Sequence, residues 1–110
     1  MIIEDTEGIN NLEEILSAKG IDVTFIGPYD LSQSLGVPGQ VDHPRVIKEM
    51  EHIVAISKEA KVVVGTFVDD IDLVKKWIER GVQCISFSVD VSILYEASRR
   101  IVKELSKIHN

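Results

Sequence analysis

Residues 23–30 read Val-Thr-Phe-Ile-Gly-Pro-Tyr-Asp, a short run of β-branched and aromatic residues that leads into a Gly-Pro pair and a carboxylate. The apolar part is typical of a strand. The chain starts with the same order of features, because residues 1–4 read Met-Ile-Ile-Glu. The repeated pattern predicts strands at 1–4 and 23–26, each with an acidic side chain at or just beyond its carboxyl end.

Two more β-branched runs follow, at 62–66 and 84–89, and segments of helical spacing separate all four runs. This alternation is typical of successive βα units on a parallel sheet. A chain of 110 residues is also near the commonest domain size. We therefore predict an α/β fold with four parallel strands, (βα)4, in a single domain over residues 1–110.

The helices are predicted from apolar residues at intervals of three and four. The first covers 8–18, Asp42 caps the second, Asp69 or Asp70 opens the third, and Asp90 opens the last. Their apolar stripes are predicted to pack against the sheet. These stripes consist of Ile9, Leu12, Ile15 and Leu16, then Val46, Met50, Ile53 and Val54, then Val74, Trp77 and Ile78, and finally Leu94, Ala97, Ile101 and Leu105.

Composition narrows the class of protein. The chain is 45% hydrophobic and 27% charged, which is ordinary for a globular domain, and its net charge of −6 offers no basic stripe for nucleic acid. No apolar run approaches the roughly 20 residues that span a bilayer, so no membrane association is expected. Cys84 is the only cysteine. We expect it to be a small buried hydrophobic residue in a cytoplasmic protein.

Glu4 and Asp30 are the best candidates for a functional site. Adjacent parallel strands lie about 5 Å apart, so side chains at their carboxyl ends can reach one divalent cation. Asp30 also lies in the long connection 27–41, and βα loops at this end of a parallel sheet are where ligands bind. The alternative is structural, with Asp30 capping a short helix and Glu4 facing solvent.

Four segments resemble the HpcH/HpaI aldolase and citrate lyase superfamily. They are residues 3–12, Ile-Glu-Asp-Thr-Glu-Gly-Ile-Asn-Asn-Leu, residues 25–36, Phe-Ile-Gly-Pro-Tyr-Asp-Leu-Ser-Gln-Ser-Leu-Gly, and the pairs Pro-Gly at 38–39 and His-Pro at 43–44. In that family such motifs follow the fifth and sixth strands of a (β/α)8 barrel, and the resemblance continues more loosely to the end of the chain. It implies a half TIM barrel that corresponds to strands 5 to 8.

The resemblance also implies a chemistry. The family's class II members use a divalent metal to make or cleave a carbon–carbon bond next to a 2-oxo acid such as pyruvate. Glu4 and Asp30 correspond to the two metal ligands for Mg or Mn. Gly27, Pro28, Tyr29 and Asp30 would form the substrate-binding segment, with backbone amides near Tyr29 and Asp30 facing the substrate carboxylate.

The chain departs from the family pattern in three places. Ile2 stands where a glutamine is usual, and residues 88–90 read Ser-Val-Asp where Gly-Ser-Asp is common. The family's catalytic arginine and histidine belong to early barrel strands that have no counterpart in this sequence. None of the three histidines here is an obvious base, because they fall in helical or terminal positions.

Four strands of a barrel predict an incomplete surface. Both sheet edges would be unpaired, and the face that lines the barrel interior would expose Ile, Val and Phe side chains. We expect either a homodimer or a complementary half-barrel chain as partner. Two functions follow: the metal-binding half of a 2-oxo acid aldolase, incomplete by itself, or a non-catalytic half-barrel scaffold that self-associates.

Overall fold

The strands of this chain form one parallel sheet. A computed structural model describes residues 1–18 and 20–109, and over these residues the sheet has four strands in the order β1-β2-β3-β4. Each strand pairs in parallel with the next. They are β1 (Ile2–Ile3), β2 (Val23–Ile26), β3 (Val63–Val68) and β4 (Cys84–Phe87). The sequential order confirms the predicted succession of βα units.

Three strands differ from the predicted ones by one or two residues at an end: β1 covers Ile2–Ile3 and not 1–4, β3 covers Val63–Val68 and not 62–66, and β4 is shorter than 84–89. Val62 belongs to the turn before β3, because its N–H donates to the carbonyl of Ser57, 2.9 Å away. The strand β4 ends at Phe87 and not at residue 89. Ser88 has a φ of 54°, in the left-handed region, and therefore cannot continue the extended backbone.

The first predicted helix, 8–18, is two short helices. The described helices are α1 (Thr6–Asn10), α2 (Leu12–Leu16), α3 (Pro28–Ser34), α4 (Pro44–Glu59), α5 (Ile71–Glu79) and α6 (Asp90–His109). Asp5 starts α1 early by accepting a 2.7 Å hydrogen bond from the N–H of Gly8. Asn11 separates α1 from α2, and its side-chain amide donates to the carbonyl of Glu7. Asparagine competes with the helical hydrogen bonds in this way.

The predicted cap of α4 is wrong by one residue. His43, and not Asp42, is the N-cap, and its Nδ1 accepts a 3.1 Å hydrogen bond from the N–H of Arg45. Pro44 explains the shift. A residue before proline is pushed to extended backbone, so the helix begins at Pro44 and the cap must be the residue directly before it.

The core lies between the sheet and the helices on one of its faces. Ile3, Ile26 and Val64 point to this face and are at most 2% exposed. The predicted stripe of α4 packs there as expected. Its members are Val46, Met50, Ile53 and Val54, and all are buried. The stripe of α2 is also correct for Leu12 and Leu16.

The opposite face of the sheet is open. Ile2 is 61% exposed, and Val23 and Val63 are each 37% exposed, as predicted for strands that line half of a barrel. The register places Gly65 opposite both Phe25 and Cys84, so Cys84 lies on this open face. The prediction of a buried Cys84 is therefore wrong: the thiol is exposed, because no helix covers this side.

The apolar stripe of α6 does not pack on the sheet, so the prediction that it does is wrong. Leu94 is 70% exposed, Ile101 53% and Leu105 57%, and Ala97 is the one half-buried residue between 90 and 108. The helix instead accounts for a molecule 61 Å long but only 27 by 22 Å across. In α5 the stripe is correct for Trp77 but not for Ile78, which is 55% exposed.

The described residues also contain no helix that is both long enough and apolar enough to cross a membrane.

Candidate functional site

Glu4 and Asp30 lie at the same edge of the sheet. Glu4 directly follows β1, and Asp30 lies in the first turn of α3, which follows β2. The two strands are locked in register at this edge, because the N–H of Gly27 donates to the carbonyl of Ile3 at 2.9 Å. The carboxyl ends of β1 and β2 therefore bring the two predicted ligand residues to one rim.

Gly27 marks the point on which both carboxylates converge. A Cβ atom at this position would lie 3.2 Å from Glu4 Cβ, 3.5 Å from Glu4 Oε2 and 3.8 Å from Asp30 Oδ2. Its backbone has φ −95°, which any residue adopts, so glycine is needed here for space and not for conformation. The missing side chain leaves a small opening between two carboxylate oxygens.

The two carboxylates repel each other. The negative charge of Asp30 is the main cause that raises the pKa of Glu4 above its ordinary value of 4.5. Partial loss of hydration, the ability of protonated Glu4 to donate a hydrogen bond to Asp30, and the charge of Asp5 add to the effect. Within the described residues the one ion pair joins Arg80 to Glu51, so no basic side chain neutralises the Glu4–Asp30 pair. A bound cation would relieve this repulsion.

Several contacts hold α3, the helix that carries Asp30, in place. Pro28 occupies its first turn and is buried, as is Leu31, so the helix is anchored on the core side. Ser32 Oγ donates to the carbonyl of Tyr29 at 2.6 Å and accepts from the N–H of Gly39 at 3.0 Å. This hydroxyl ties the following loop to the turn that contains Asp30.

A second contact joins α3 to the segment after Glu4. The N–H of Thr6 donates to Ser34 Oγ over 3.1 Å. The two segments that contribute the carboxylates are thus connected at both the strand ends and the far end of α3.

Asp69 makes a contact that the sequence did not predict. Asp70 is the cap of α5, since its Oδ1 accepts from the N–H groups of Asp72 and Leu73 at 2.8 and 3.3 Å. Asp69 Oδ2 instead accepts a hydrogen bond from the hydroxyl of Tyr29. That bond, with partial burial and the charge of Asp69, raises the pKa of Tyr29 to about 12. The consecutive aspartates at 69 and 70 were the signal in the sequence. Only one of them can cap α5, so the other carboxylate is available for a different contact.

The donor set fits a hard divalent cation. Glu4 and Asp30 supply oxygen ligands, which Mg²⁺ and Mn²⁺ prefer, and such ions keep waters in their remaining positions. The described residues contain no group of three or more histidine, cysteine or acidic side chains placed to hold a metal. His43 is occupied as a helix cap, His52 is exposed on α4, and the side chain of His109 lies outside the described residues. A metal here would have two protein ligands and open positions for substrate.

Comparison with known proteins identifies the family of the chain. Residues 1–97 match the HpcH/HpaI aldolase/citrate lyase family. The chain belongs to that family. The 4-hydroxy-2-oxo-heptane-1,7-dioate aldolase of Shigella sonnei (strain Ss046) is 33% identical to it over 99 residues, which cover 90% of this chain and 38% of the aldolase. The hydroxypyruvate/pyruvate aldolase of Paraburkholderia phytofirmans is 32% identical over 103 residues, or 94% of this chain and 40% of that enzyme.

The fold agrees as well. The crystal structure of an HpcH/HpaI aldolase/citrate lyase family protein from Burkholderia cenocepacia J2315 has a TM-score of 0.90 and 36% identity, and covers 96% of this chain and 41% of that one. The fold of this chain is therefore a half TIM barrel, with four strands that correspond to strands 5 to 8 of a (β/α)8 barrel. The chain spans about two fifths of the length of these relatives.

Proposed function

We propose that this chain is the metal-binding half of a class II aldolase that acts on 2-oxo acids such as pyruvate. Glu4 and Asp30 are the ligands of a divalent ion, Mg or Mn. The observation that carries the proposal is the convergence of Glu4 Oε2 and Asp30 Oδ2 on the opening at Gly27. Family membership and the names of two aldolases among the relatives support it.

The residues of this chain have distinct duties in that reaction. Glu4 and Asp30 hold the ion, and Gly27 keeps the approach to it open. The first-turn amides of Tyr29 and Asp30 have no acceptor within α3, so they are available to a substrate carboxylate. When bound, the ion would act as a Lewis acid that polarises the carbonyl of the 2-oxo acid. Pro28 has no N–H and serves by setting the start of the helix.

Proton transfer requires groups from elsewhere. The one ion pair among the described residues joins Arg80 to Glu51, and within that part of the chain no basic side chain pairs with Glu4 or Asp30. Ile2 cannot make the hydrogen bond of the glutamine that the family resemblance leads one to expect at its position. We therefore propose that a partner supplies the remaining groups, across the open face of the sheet and its two unpaired edges.

We propose a second copy of the chain as that partner. Eight large apolar side chains of α6 are at least 52% exposed. They are Val91, Ile93, Leu94, Tyr95, Ile101, Val102, Leu105 and Ile108. A groove of about 710 Å³ lies between α6 and the end of β4, with Phe87 and Ile93 among its walls. An apolar surface of this extent on a helix is typical of an interface between subunits. A complementary half-barrel chain is the alternative partner.

Manganese titration tests the metal site. Wild type should bind Mn²⁺ more tightly in the presence of pyruvate, and Glu4→Gln or Asp30→Asn should weaken Mn²⁺ binding by about tenfold or more. Glu13→Gln is the matched control, since Glu13 is an exposed carboxylate on α2. Equal Mn²⁺ affinity in all four proteins would remove the assignment.

The scaffold function is the second candidate, and it is favoured by the lack of a basic group near the carboxylate pair in the described part of the chain. Exchange of the pyruvate methyl protons with deuterium, followed by NMR, separates the two. Metal-dependent exchange that Glu4→Gln abolishes supports the aldolase proposal. If Mn²⁺ binds but no exchange occurs, either with the chain alone or with a complementary half present, the scaffold function is supported and the aldolase proposal fails. Light scattering at micromolar concentration tests the dimer, and a monomer mass would contradict it.

A further inference from the structure

Tyr29 and Asp30 are consecutive residues, but their side chains lie toward different strands on the two sides of β2. Asp30 Oδ2 lies on the side of Glu4, which follows β1. The hydroxyl of Tyr29 donates to Asp69 Oδ2, and Asp69 follows β3. Because β2 lies between β1 and β3, the first turn of α3 is held from both sides of its own strand.

Helix geometry couples the two side chains. With 3.6 residues per turn, consecutive side chains project about 100° apart. A contact that fixes the rotation of the turn at one residue therefore fixes the Cα–Cβ direction of the other, and with it which χ1 rotamer points that side chain toward Glu4. We propose that Asp69 is a positioning residue, which sets the direction of the Asp30 carboxylate by accepting the hydrogen bond of Tyr29.

Buried Pro28 and Leu31 anchor α3 on its core side, but its first turn has no side-chain cap on the side that faces the rim. Gly27 is the N-cap and makes no side-chain capping bond, and the helix has only seven residues. The ring of Tyr29 meets Phe67 edge-on, with centroids 6.0 Å apart and planes at 60°. This apolar contact places the ring against β3, and the directional hydrogen bond to Asp69 fixes the position of the hydroxyl at the end of the ring. Asp69 is not needed as a cap, because Asp70 fills that role.

The first test needs no metal. Three-bond couplings from the Asp30 backbone to its carboxyl carbon report the χ1 angle of that side chain. Wild type and Asp69→Asn, whose amide oxygen still accepts, should show one χ1 rotamer. Tyr29→Phe, which keeps the ring on Phe67, and Asp69→Ala should show averaged couplings. Asp72→Ala is the control, since Asp72 is a neighbouring exposed aspartate whose side chain forms no hydrogen bond with the described residues of α3. Unchanged Asp30 couplings in Tyr29→Phe and Asp69→Ala would overturn the proposal.

The second test rests on the proposed function. Tyr29→Phe and Asp69→Ala should each weaken Mn²⁺ binding about tenfold, the usual effect of losing a group that orients a metal ligand. The double variant should be no weaker than either single variant, because both remove one hydrogen bond. Wild-type Mn²⁺ affinity in both single variants, together with a lower melting temperature, would assign the pair to stability alone and overturn the positioning role. If no protein, wild type included, binds Mn²⁺ while the couplings change as expected, the metal site fails and the positioning role stands.

Discussion

The helices α4 and α6 have the same kind of sequence and opposite environments. Both carry apolar residues at intervals of three and four. In α4, Val46 is 0% and Met50 1% exposed, whereas in α6 Leu94 is 70% and Leu105 57% exposed. Periodicity therefore specifies that a helix has an apolar face, but it does not specify which surface covers that face. For α4 the cover is the sheet of its own chain, and for α6 we propose a second copy.

The largest expected effect is on the free energy of unfolding. Met50→Ala should lower it by about 2–5 kcal/mol, because it leaves a cavity in the core. Leu94→Ala should change it by about 0.5 kcal/mol or less, as expected for an exposed site. Urea unfolding at a concentration low enough to keep the chain monomeric measures both. Similar losses in the two variants would show that α6 packs on its own sheet in solution and would remove the contrast.

Association should show the reverse order. Leu94→Asp should weaken dimerisation at least about tenfold, since burying a leucine contributes about 1.5–3 kcal/mol. Sedimentation at several concentrations measures the dissociation constant. Ser98→Asp, at an exposed polar position of the same helix, adds the same charge and is the control. An equal loss with Ser98→Asp would assign the effect to net charge, and no loss with either would place the interface elsewhere.

Gly27→Ala tests the opening between the two carboxylates, at the rim where the strands β1 and β2 end. The new Cβ would lie 3.2 Å from Glu4 Cβ, which is attached directly to the backbone, so the chain at Glu4 must shift by a few tenths of an ångström and take the carboxylate with it. We expect Mn²⁺ affinity to fall about tenfold, as for other changes that displace a ligand. The free energy of unfolding should fall by about 1 kcal/mol, because relieving the contact displaces the backbone at the end of β1 and not only an exposed side-chain tip. Unchanged Mn²⁺ affinity would contradict the role given to the opening.

The smallest effect is the pH dependence that Glu4 contributes. Its pKa is raised in the folded chain above 4.5, so the folded state binds this proton more tightly than the unfolded state. Stability therefore falls as pH rises from 4.5 through the folded pKa, and Glu4→Gln should remove this fall. Chemical unfolding of both proteins across that window measures it. A wild-type profile that overlies that of Glu4→Gln would show that Asp30 does not act on Glu4 in solution.

Protonation should also oppose metal binding. A carboxylate must lose its proton to ligate an ion, so Mn²⁺ affinity should decrease as pH falls through the raised pKa of Glu4. The Glu13→Gln control should keep this pH dependence, and Glu4→Gln should lose most of it.

Much of the fold follows from local sequence. The β-branched runs and the stripe of Val46, Met50, Ile53 and Val54 predicted the strands and the main covering helix, because each is a short-range pattern. The proximity of Glu4 and Asp30 also followed, since adjacent parallel strands bring their carboxyl ends together. Family motifs identified the half barrel, and the family match over residues 1–97 and the structural comparison confirm it.

Other features depend on what lies across space. The exposure of Cys84 and α6 was not predictable, because a sequence pattern shows an apolar surface but not whether anything covers it. The choice between Asp69 and Asp70 as the cap of α5 stayed open, because the partner of Asp69, Tyr29, is 40 residues away in the sequence. Sequence thus determined the elements and the rim where two carboxylates meet, which depend on short-range periodicity and strand direction. Tertiary structure alone decided which faces remain open and which side chain orients Asp30, because those depend on contacts between residues far apart in the chain.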